Sequence, residues 1–89
     1  MISIVWDPGF KKAYQKKIKT DDNLKRKFWK TTKLFSSNPF SKQLRTHKLT
    51  GTLKGLWAFS VDYDTRVIFS FLKDDEVLLI DIGSHDEVY

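Results

Sequence analysis

The sequence predicts an α+β domain in which two N-terminal helices pack on a mainly antiparallel four-stranded sheet, in the order βααβββ. The spacing of apolar residues is the first observation: they recur every three or four positions between residues 10 and 35, and about every second position after residue 56. The second is length, because 89 residues suffice for one small core. Residues 1–89 are therefore predicted to form a single domain.

The N-terminal part contains one predicted strand and two predicted helices. Ile2 to Trp6 is apolar and β-branched, as strands are. Asp7-Pro8 is a typical helix start, and the apolar spacing that follows predicts a helix to about Lys19. Residues 20–22 can cap a second helix, which ends at the segment SSNPF. Its predicted apolar face consists of Leu24, Phe28, Thr32 and Phe35.

The C-terminal half is predicted to be a three-stranded meander. Residues 38–55 form an ordered connection with Asn38-Pro39, Gly51 and Gly55 as helix and strand breakers. The segments LWAFSVDYD, TRVIFSFLK and EVLLIDIGS follow, with turns between them. The last two are apolar on both faces, so the sheet should be covered by the helices and joined by the N-terminal strand. The strand aromatics expected in the core are Trp57, Phe59, Phe69 and Phe71.

Composition argues against several classes of protein. There is no cysteine, and the only histidines are His47 and His85, so no metal and no cofactor are expected. The N-terminus lacks the pattern of a signal peptide, and no apolar run approaches the roughly 20 residues of a membrane span. We therefore expect a cytoplasmic protein without a membrane partner.

Charge is divided unevenly along the chain. Residues 1–48 carry 13 Lys or Arg and three Asp, a net charge of +10, whereas residues 49–89 carry three basic and eight acidic residues, a net charge of −5. Two successive helices share the positive excess. Such a surface favours nucleic acid or an acidic protein over a neutral small molecule.

The stretch HKLTGTLKGLWAFSVDYDTRVIFSF, followed by EVLLIDIGSHDEVY, resembles the RelE/ParE toxin superfamily and within it the YafQ-like mRNA interferases. Three features carry the resemblance: His-x-Leu-x-Gly with Lys-Gly after it, Tyr-Asp-x-Arg-Val-Ile-Phe entering a strand, and Gly-x-His with an aromatic four residues later. The resemblance implies a toxin of a type II toxin-antitoxin system that cleaves mRNA in the ribosomal A site. It also implies a co-expressed RelB/DinJ-like antitoxin as partner.

Several residues have side chains suited to RNA cleavage without a metal, which requires a base for the 2′-OH, a cation for the phosphorane and an acid for the leaving oxygen. The predicted catalytic residues are His85, His47, Arg66 and, from the resemblance, Asp64. The predicted substrate-binding residues are Tyr89, Lys54 and Lys48.

The position of His85 is expected to follow from strand pairing. Arg66 begins one strand and His85 follows the next, so antiparallel pairing would place the two side by side. Gly83 is expected to let the chain leave the last strand at an angle, turning His85 toward the substrate.

Each of these residues also has an ordinary structural interpretation. Arg66 can pair with Asp62 or Asp64 across the hairpin, and Asp64 can be present for turn geometry alone. His47 can fix its loop by hydrogen bonding, and Tyr89 can pack on the sheet edge. YafQ-like sequences carry a histidine at position 60, where this chain has serine, and this leaves the identity of the general base open.

Two other functions fit the same sequence. A ParE-like toxin on this fold would bind and poison DNA gyrase without catalysis. A bare RNA-binding module would be explained by the charge alone.

Overall fold

The computed structural model describes residues 1–84, and within them two α-helices and five strands form one layer of helices on one sheet. The elements in chain order are β1 Ser3–Trp6, α1 Pro8–Lys17, α2 Asp22–Ser37, β2 His47–Lys48, β3 Trp57–Ser60, β4 Thr65–Lys73 and β5 Glu76–Ser84. The predicted α+β class, with two N-terminal helices on a mainly antiparallel sheet, is confirmed.

The sheet has the strand order β1-β5-β4-β3-β2 within the described residues. β1 pairs with β5 in parallel, and the other pairs are antiparallel. The predicted count of four strands is wrong, because His47 and Lys48 pair with Ala58 and Trp57 as an additional edge strand. A strand of two residues is too short to display a period of two, so only the pairing reveals it.

Both helices begin where the sequence predicts, because an aspartate accepts an orphan amide at each start. The Asp7 carboxylate accepts the N–H of Gly9 at 2.8 Å, and Pro8 occupies the first turn of α1. The Asp21 carboxylate accepts the N–H of Leu24 at 3.1 Å. α1 ends at Lys17, two residues before the predicted end.

The main core lies between the helices and one face of the sheet, as predicted. Phe35 of α2 stacks on Phe59 with 4.6 Å between ring centroids, and Phe69 meets Phe35 edge-on at 4.9 Å. Phe59 and Phe69 are fully buried, and Trp57 and Phe71 are partly buried against the same cluster. The aromatic residues predicted for the core are therefore confirmed.

A second, smaller apolar cluster covers part of the opposite face of the sheet. Ala58 of β3 and Ile68 of β4 pack there with Leu49, which lies in the predicted connection. Partly buried Leu53, Leu56 and Ile80 join them. The connection between α2 and β3 thus buries apolar side chains on the sheet face that the helices do not cover.

The connection between α2 and β3 contains two short 3₁₀ turns, Lys42–Leu44 and Gly51–Leu53. Gly51 and Gly55 have φ angles of +68° and +94°, which explains why glycine occupies both breaker positions. Arg45 is also left-handed, with a φ of +51°. Neither helix within residues 1–84 combines the length and hydrophobicity that crossing a bilayer requires.

Candidate active site

The sheet face opposite the helices is called the open face here. The second apolar cluster covers it only as far as the point where β3 and β4 change from apolar to polar side chains. Ser60 follows Ala58 on the same face of β3, and Arg66 precedes Ile68 on the same face of β4. Arg66 pairs with Ser60 on one side and with Gly83 of β5 on the other. Ser60 and Arg66 of this row line the candidate site.

Arg66 uses one terminal nitrogen to hold the turn between β3 and β4. Its Nη1 donates to the carbonyl oxygens of Asp62 at 3.0 Å, Tyr63 at 3.1 Å and Thr65 at 3.3 Å. Within residues 1–84 it pairs with neither the Asp62 nor the Asp64 carboxylate, so the ion pair considered from the sequence does not form. Carbonyl oxygens carry no formal charge, and the guanidinium therefore keeps a full positive charge for an anion.

Asp62 stabilises the same turn from the other side. Its Oδ1 accepts the backbone N–H groups of Asp64 at 3.1 Å and Thr65 at 2.8 Å, and its Oδ2 lies 3.8 Å from Lys27 Nζ. Partial burial raises the pKa of Asp62, but the hydrogen bonds from Thr65 and Asp64 and the charge of Lys27 together outweigh it, so the pKa lies below its ordinary value. The Asp62 carboxylate is therefore charged at neutral pH.

The polar end of the open face forms a groove of about 600 Å³. Its lining residues are Gln43, Arg45, Ser60, Val61, Asp62, Tyr63, Asp64 and Arg66. Two predicted catalytic residues, Asp64 and Arg66, are thus in one groove. Arg45 and Tyr63 were missed by the sequence reasoning, and the one signal for Tyr63 was an aromatic residue inside a predicted turn.

His47 lies on the open face as well, at the edge strand β2. Its Nδ1–H donates to the Arg45 carbonyl at 2.8 Å, because a carbonyl oxygen can only accept. In the neutral ring this hydrogen bond selects the tautomer that carries its hydrogen on Nδ1. His47 is two strands and two residues away from Arg66, which places their Cα atoms roughly 12 Å apart.

The two lysines predicted to bind substrate lie apart from the groove. Lys48 Nζ sits over the Trp57 ring, 5.4 Å from its centroid, on the face opposite His47. Lys54 is exposed at the end of the second 3₁₀ turn. Neither lysine lines the groove around Arg66.

The C-terminal strand continues farther than the sequence suggested. Gly83 pairs with Arg66 and Ser84 pairs with Thr65, so β5 runs through the glycine rather than turning away at it. The prediction of a departure at Gly83 is wrong, because the ladder to β4 holds the chain extended there. His85 and Tyr89 lie outside the described residues.

A basic surface lies on and beside the two helices, and it meets the groove at Lys27, which is 3.8 Å from Asp62. Its exposed members are Lys11, Lys12, Lys16, Lys19, Lys25, Arg26, Lys27, Lys30 and Lys33. The described part of the chain contains no group of three or more His, Cys, Asp or Glu side chains arranged to hold a metal ion.

Two helices on one face of a mixed five-stranded sheet, with a groove on the other face that contains two arginines and two aspartates, have the RelE-like toxin fold. The sequence matches the model of the family described as bacterial toxin of type II toxin-antitoxin system, YafQ, over residues 2–89. The chain belongs to this family. As a type II toxin, it has a protein antitoxin as its partner.

Other solved structures share the fold. YafQ from E. coli strain BL21(DE3) is 21% identical with a TM-score of 0.74, covering 100% of this chain and 99% of that chain. A conserved hypothetical protein from Helicobacter pylori is 26% identical with a TM-score of 0.76, covering 100% of both chains. The YoeB/ParE toxin from Agrobacterium tumefaciens is 18% identical with a TM-score of 0.76, covering 94% of this chain and 99% of that chain. No curated protein sequence matches the chain.

Proposed function

We propose that this toxin is a ribosome-dependent endoribonuclease that cleaves mRNA in the A site without a metal. The observation that carries the proposal is the position of Arg66. One terminal nitrogen is anchored on the turn, while Nε and Nη2 make no hydrogen bond within residues 1–84 and can meet a phosphate. Its neighbour on β5, Gly83, lies two positions before His85 in the sequence.

Cleavage proceeds by attack of the 2′-oxygen on the adjacent phosphorus. A base removes the 2′-OH proton as the new P–O2′ bond forms, and an acid protonates the 5′-oxygen as the P–O5′ bond breaks. The products are a 2′,3′-cyclic phosphate and a 5′-hydroxyl. In our proposal His85 and His47 are the acid and base candidates, Arg66 stabilises the charge on the phosphorane, Asp64 orients a neighbouring group and Tyr89 contacts a base.

The lysines of α1 and α2 support a role for the ribosome. They form a mainly positive surface that attracts an RNA backbone, and none of them lines the groove that would hold mRNA. The groove is open and small, so it can orient free RNA only weakly, and the ribosome would supply the orientation. We therefore expect free RNA to be a poor substrate, and we place the toxin in the cytoplasm.

The antitoxin in our proposal is RelB/DinJ-like, with an acidic, partly disordered segment. A net charge of +10 on residues 1–48 attracts such a segment and gives it a surface on which to fold. Lys48 and Lys54 can also contact RNA or this partner, because both are exposed.

Toeprinting on ribosomes programmed with a defined mRNA tests the proposal. Wild-type toxin should produce new mRNA ends at the A-site codon, and the same mRNA without ribosomes should remain largely intact. Addition of purified antitoxin should suppress the new ends. If no new ends appear in either setting while DNA supercoiling by gyrase is inhibited, the ribonuclease proposal fails and the ParE-like function replaces it.

A further inference from the structure

Tyr63 has an unusual environment for a large aromatic side chain. Its side chain is 97% exposed, although its backbone lies in the turn that closes the β3–β4 hairpin. Tyrosine offers nothing to turn geometry, which favours Gly, Asn, Asp and Ser. The ring also contributes nothing to the core. An aromatic ring displayed to solvent in this way has its whole face available to a ligand.

The backbone beneath the ring is fixed by several hydrogen bonds. The Tyr63 carbonyl accepts from Arg66 Nη1 at 3.1 Å, and the Asp62 carboxylate accepts from the next two amides along the turn. The N–H of Val61 donates to the Thr65 carbonyl at 2.9 Å and closes the loop. A ligand that stacks on the ring therefore has to immobilise two side-chain torsions and no backbone, which keeps the entropic cost low.

A second unpaired cation lines the same groove. Arg45 is exposed and makes no side-chain hydrogen bond or ion pair within residues 1–84. Its backbone is held in the left-handed region, and its carbonyl accepts the hydrogen bond from His47. The groove thus contains two arginines, two aspartates and one exposed aromatic face. The arginines and the ring match the phosphate and the base of a nucleotide.

We propose that Tyr63 and Arg45 form a nucleotide subsite beside the cleavage site: the ring stacks on one base of the mRNA and the Arg45 guanidinium contacts a phosphate next to the one at Arg66. This subsite rests on the proposed ribonuclease function. Stacking tolerates every base, so its main effect is to position the mRNA rather than to select a single codon.

Single-turnover cleavage on programmed ribosomes, at saturating toxin, measures the contribution of the ring. Tyr63→Ala should lower the maximal rate about 5- to 150-fold, and Tyr63→Phe should stay within about threefold of wild type, because phenylalanine retains the aromatic face. Leu72→Ala is the matched control: Leu72 is 49% exposed on β4 and about 20 Å along the strand from Arg66. Equal rates for Tyr63→Ala and Leu72→Ala would overturn the proposal, and so would equal losses in Tyr63→Phe and Tyr63→Ala.

The arginine is tested in the same assay. Arg45→Gln should slow cleavage at least fivefold, whereas Lys42→Gln, which removes an exposed cation that does not line the groove, should not. If both substitutions slow cleavage equally, the effect is one of general charge and the phosphate contact is refuted.

A crosslinking experiment, which does not depend on cleavage, tests the subsite separately from the ribonuclease function. With 5-iodouridine in the A-site codon and the His85→Ala toxin bound, ultraviolet light should crosslink the mRNA to the peptide containing Tyr63. A crosslink with no cleavage by wild-type toxin would retain the subsite and refute the ribonuclease. Cleavage without a crosslink at Tyr63 would refute the subsite alone. Loss of antitoxin binding in Tyr63→Ala with normal cleavage would assign the ring to the protein partner instead and overturn the proposal.

Discussion

Replacing Asp62 by alanine removes the carboxylate that holds the turn at the candidate site. The amides of Asp64 and Thr65, now 3.1 and 2.8 Å from Oδ1, would lose their acceptor and turn to water. Asp62→Asn, in contrast, keeps an oxygen at the Oδ1 position and removes only the charge. The pair of variants therefore separates the hydrogen bonds from the attraction to Lys27.

The magnitude follows from these contacts. Loss of a side-chain cap that accepts backbone amides costs about 0.5–2 kcal/mol. The ion pair adds less than about 1 kcal/mol, because its atoms are 3.8 Å apart and the Lys27 side chain is 47% exposed. We expect Asp62→Ala to lower the free energy of unfolding by about 1–2 kcal/mol and Asp62→Asn by about 0.5 kcal/mol. In a domain of this size those losses lower Tm by roughly 5–12 °C and 2–4 °C.

The cost should depend on pH, because the pKa of Asp62 is lowered in the folded protein. A carboxyl whose folded pKa is depressed stabilises the protein fully above its unfolded pKa of about 3.9, and this stabilisation disappears as the pH falls through the folded value. The side-chain amide that Asp62→Asn introduces does not titrate. The difference in stability between wild type and Asp62→Asn should therefore shrink below about pH 4.

Thermal and urea unfolding followed by circular dichroism tests this prediction. Asp74→Ala is the matched control, since Asp74 lies in the turn between β4 and β5 and its carboxylate accepts no hydrogen bond within residues 1–84. It should change stability by less than about 0.5 kcal/mol. If Asp62→Ala proves as stable as Asp74→Ala, the carboxylate does not hold the turn and the reasoning about a fixed Tyr63 backbone fails with it.

Three further predictions concern the core, the C-terminus and the basic surface. Phe35→Ala removes a fully buried ring stacked 4.6 Å from Phe59. It should lower the free energy of unfolding, measured in urea, by about 3–5 kcal/mol, and Phe35→Leu should lower it clearly less. Deletion of Tyr89 should slow ribosomal cleavage by about 1–3 kcal/mol in activation free energy if the ring stacks on a base, and an unchanged single-turnover rate would argue against that contact. Lys30→Ala with Lys33→Ala should weaken ribosome co-sedimentation and flatten its salt dependence, without lowering the cleavage rate at saturation.

Local sequence signals predicted most of the fold. The helix starts at Asp7-Pro8 and Asp21 depend on neighbouring residues only, and both carboxylates accept the expected amides. β2 was missed because its pairing with β3 is the only thing that makes His47 and Lys48 a strand. The prediction about Gly83 failed for the same reason: pairing with β4 overrides the conformational freedom of glycine.

The candidate site was predictable only in part. Arg66 was found from the motif, and its position beside the end of β5 followed from the hairpin. The guanidinium binds carbonyl oxygens of the turn rather than a carboxylate, and this depends on the three-dimensional path of the turn. Tyr63 was missed because it lies in a predicted turn, where the sequence pattern does not indicate a binding role. Arg45 was missed because it reaches the groove only through the fold of its loop.

The most direct test of the ribonuclease proposal is the single-turnover rate of mRNA cleavage by His85→Ala on a programmed ribosome, measured beside wild type at saturating toxin. We expect a rate about 10²–10⁴-fold lower, since a general acid or base contributes about this much, with the circular dichroism spectrum and ribosome co-sedimentation unchanged. A wild-type rate in this variant would contradict the assignment of His85 and would leave the chemistry to His47 and Arg66.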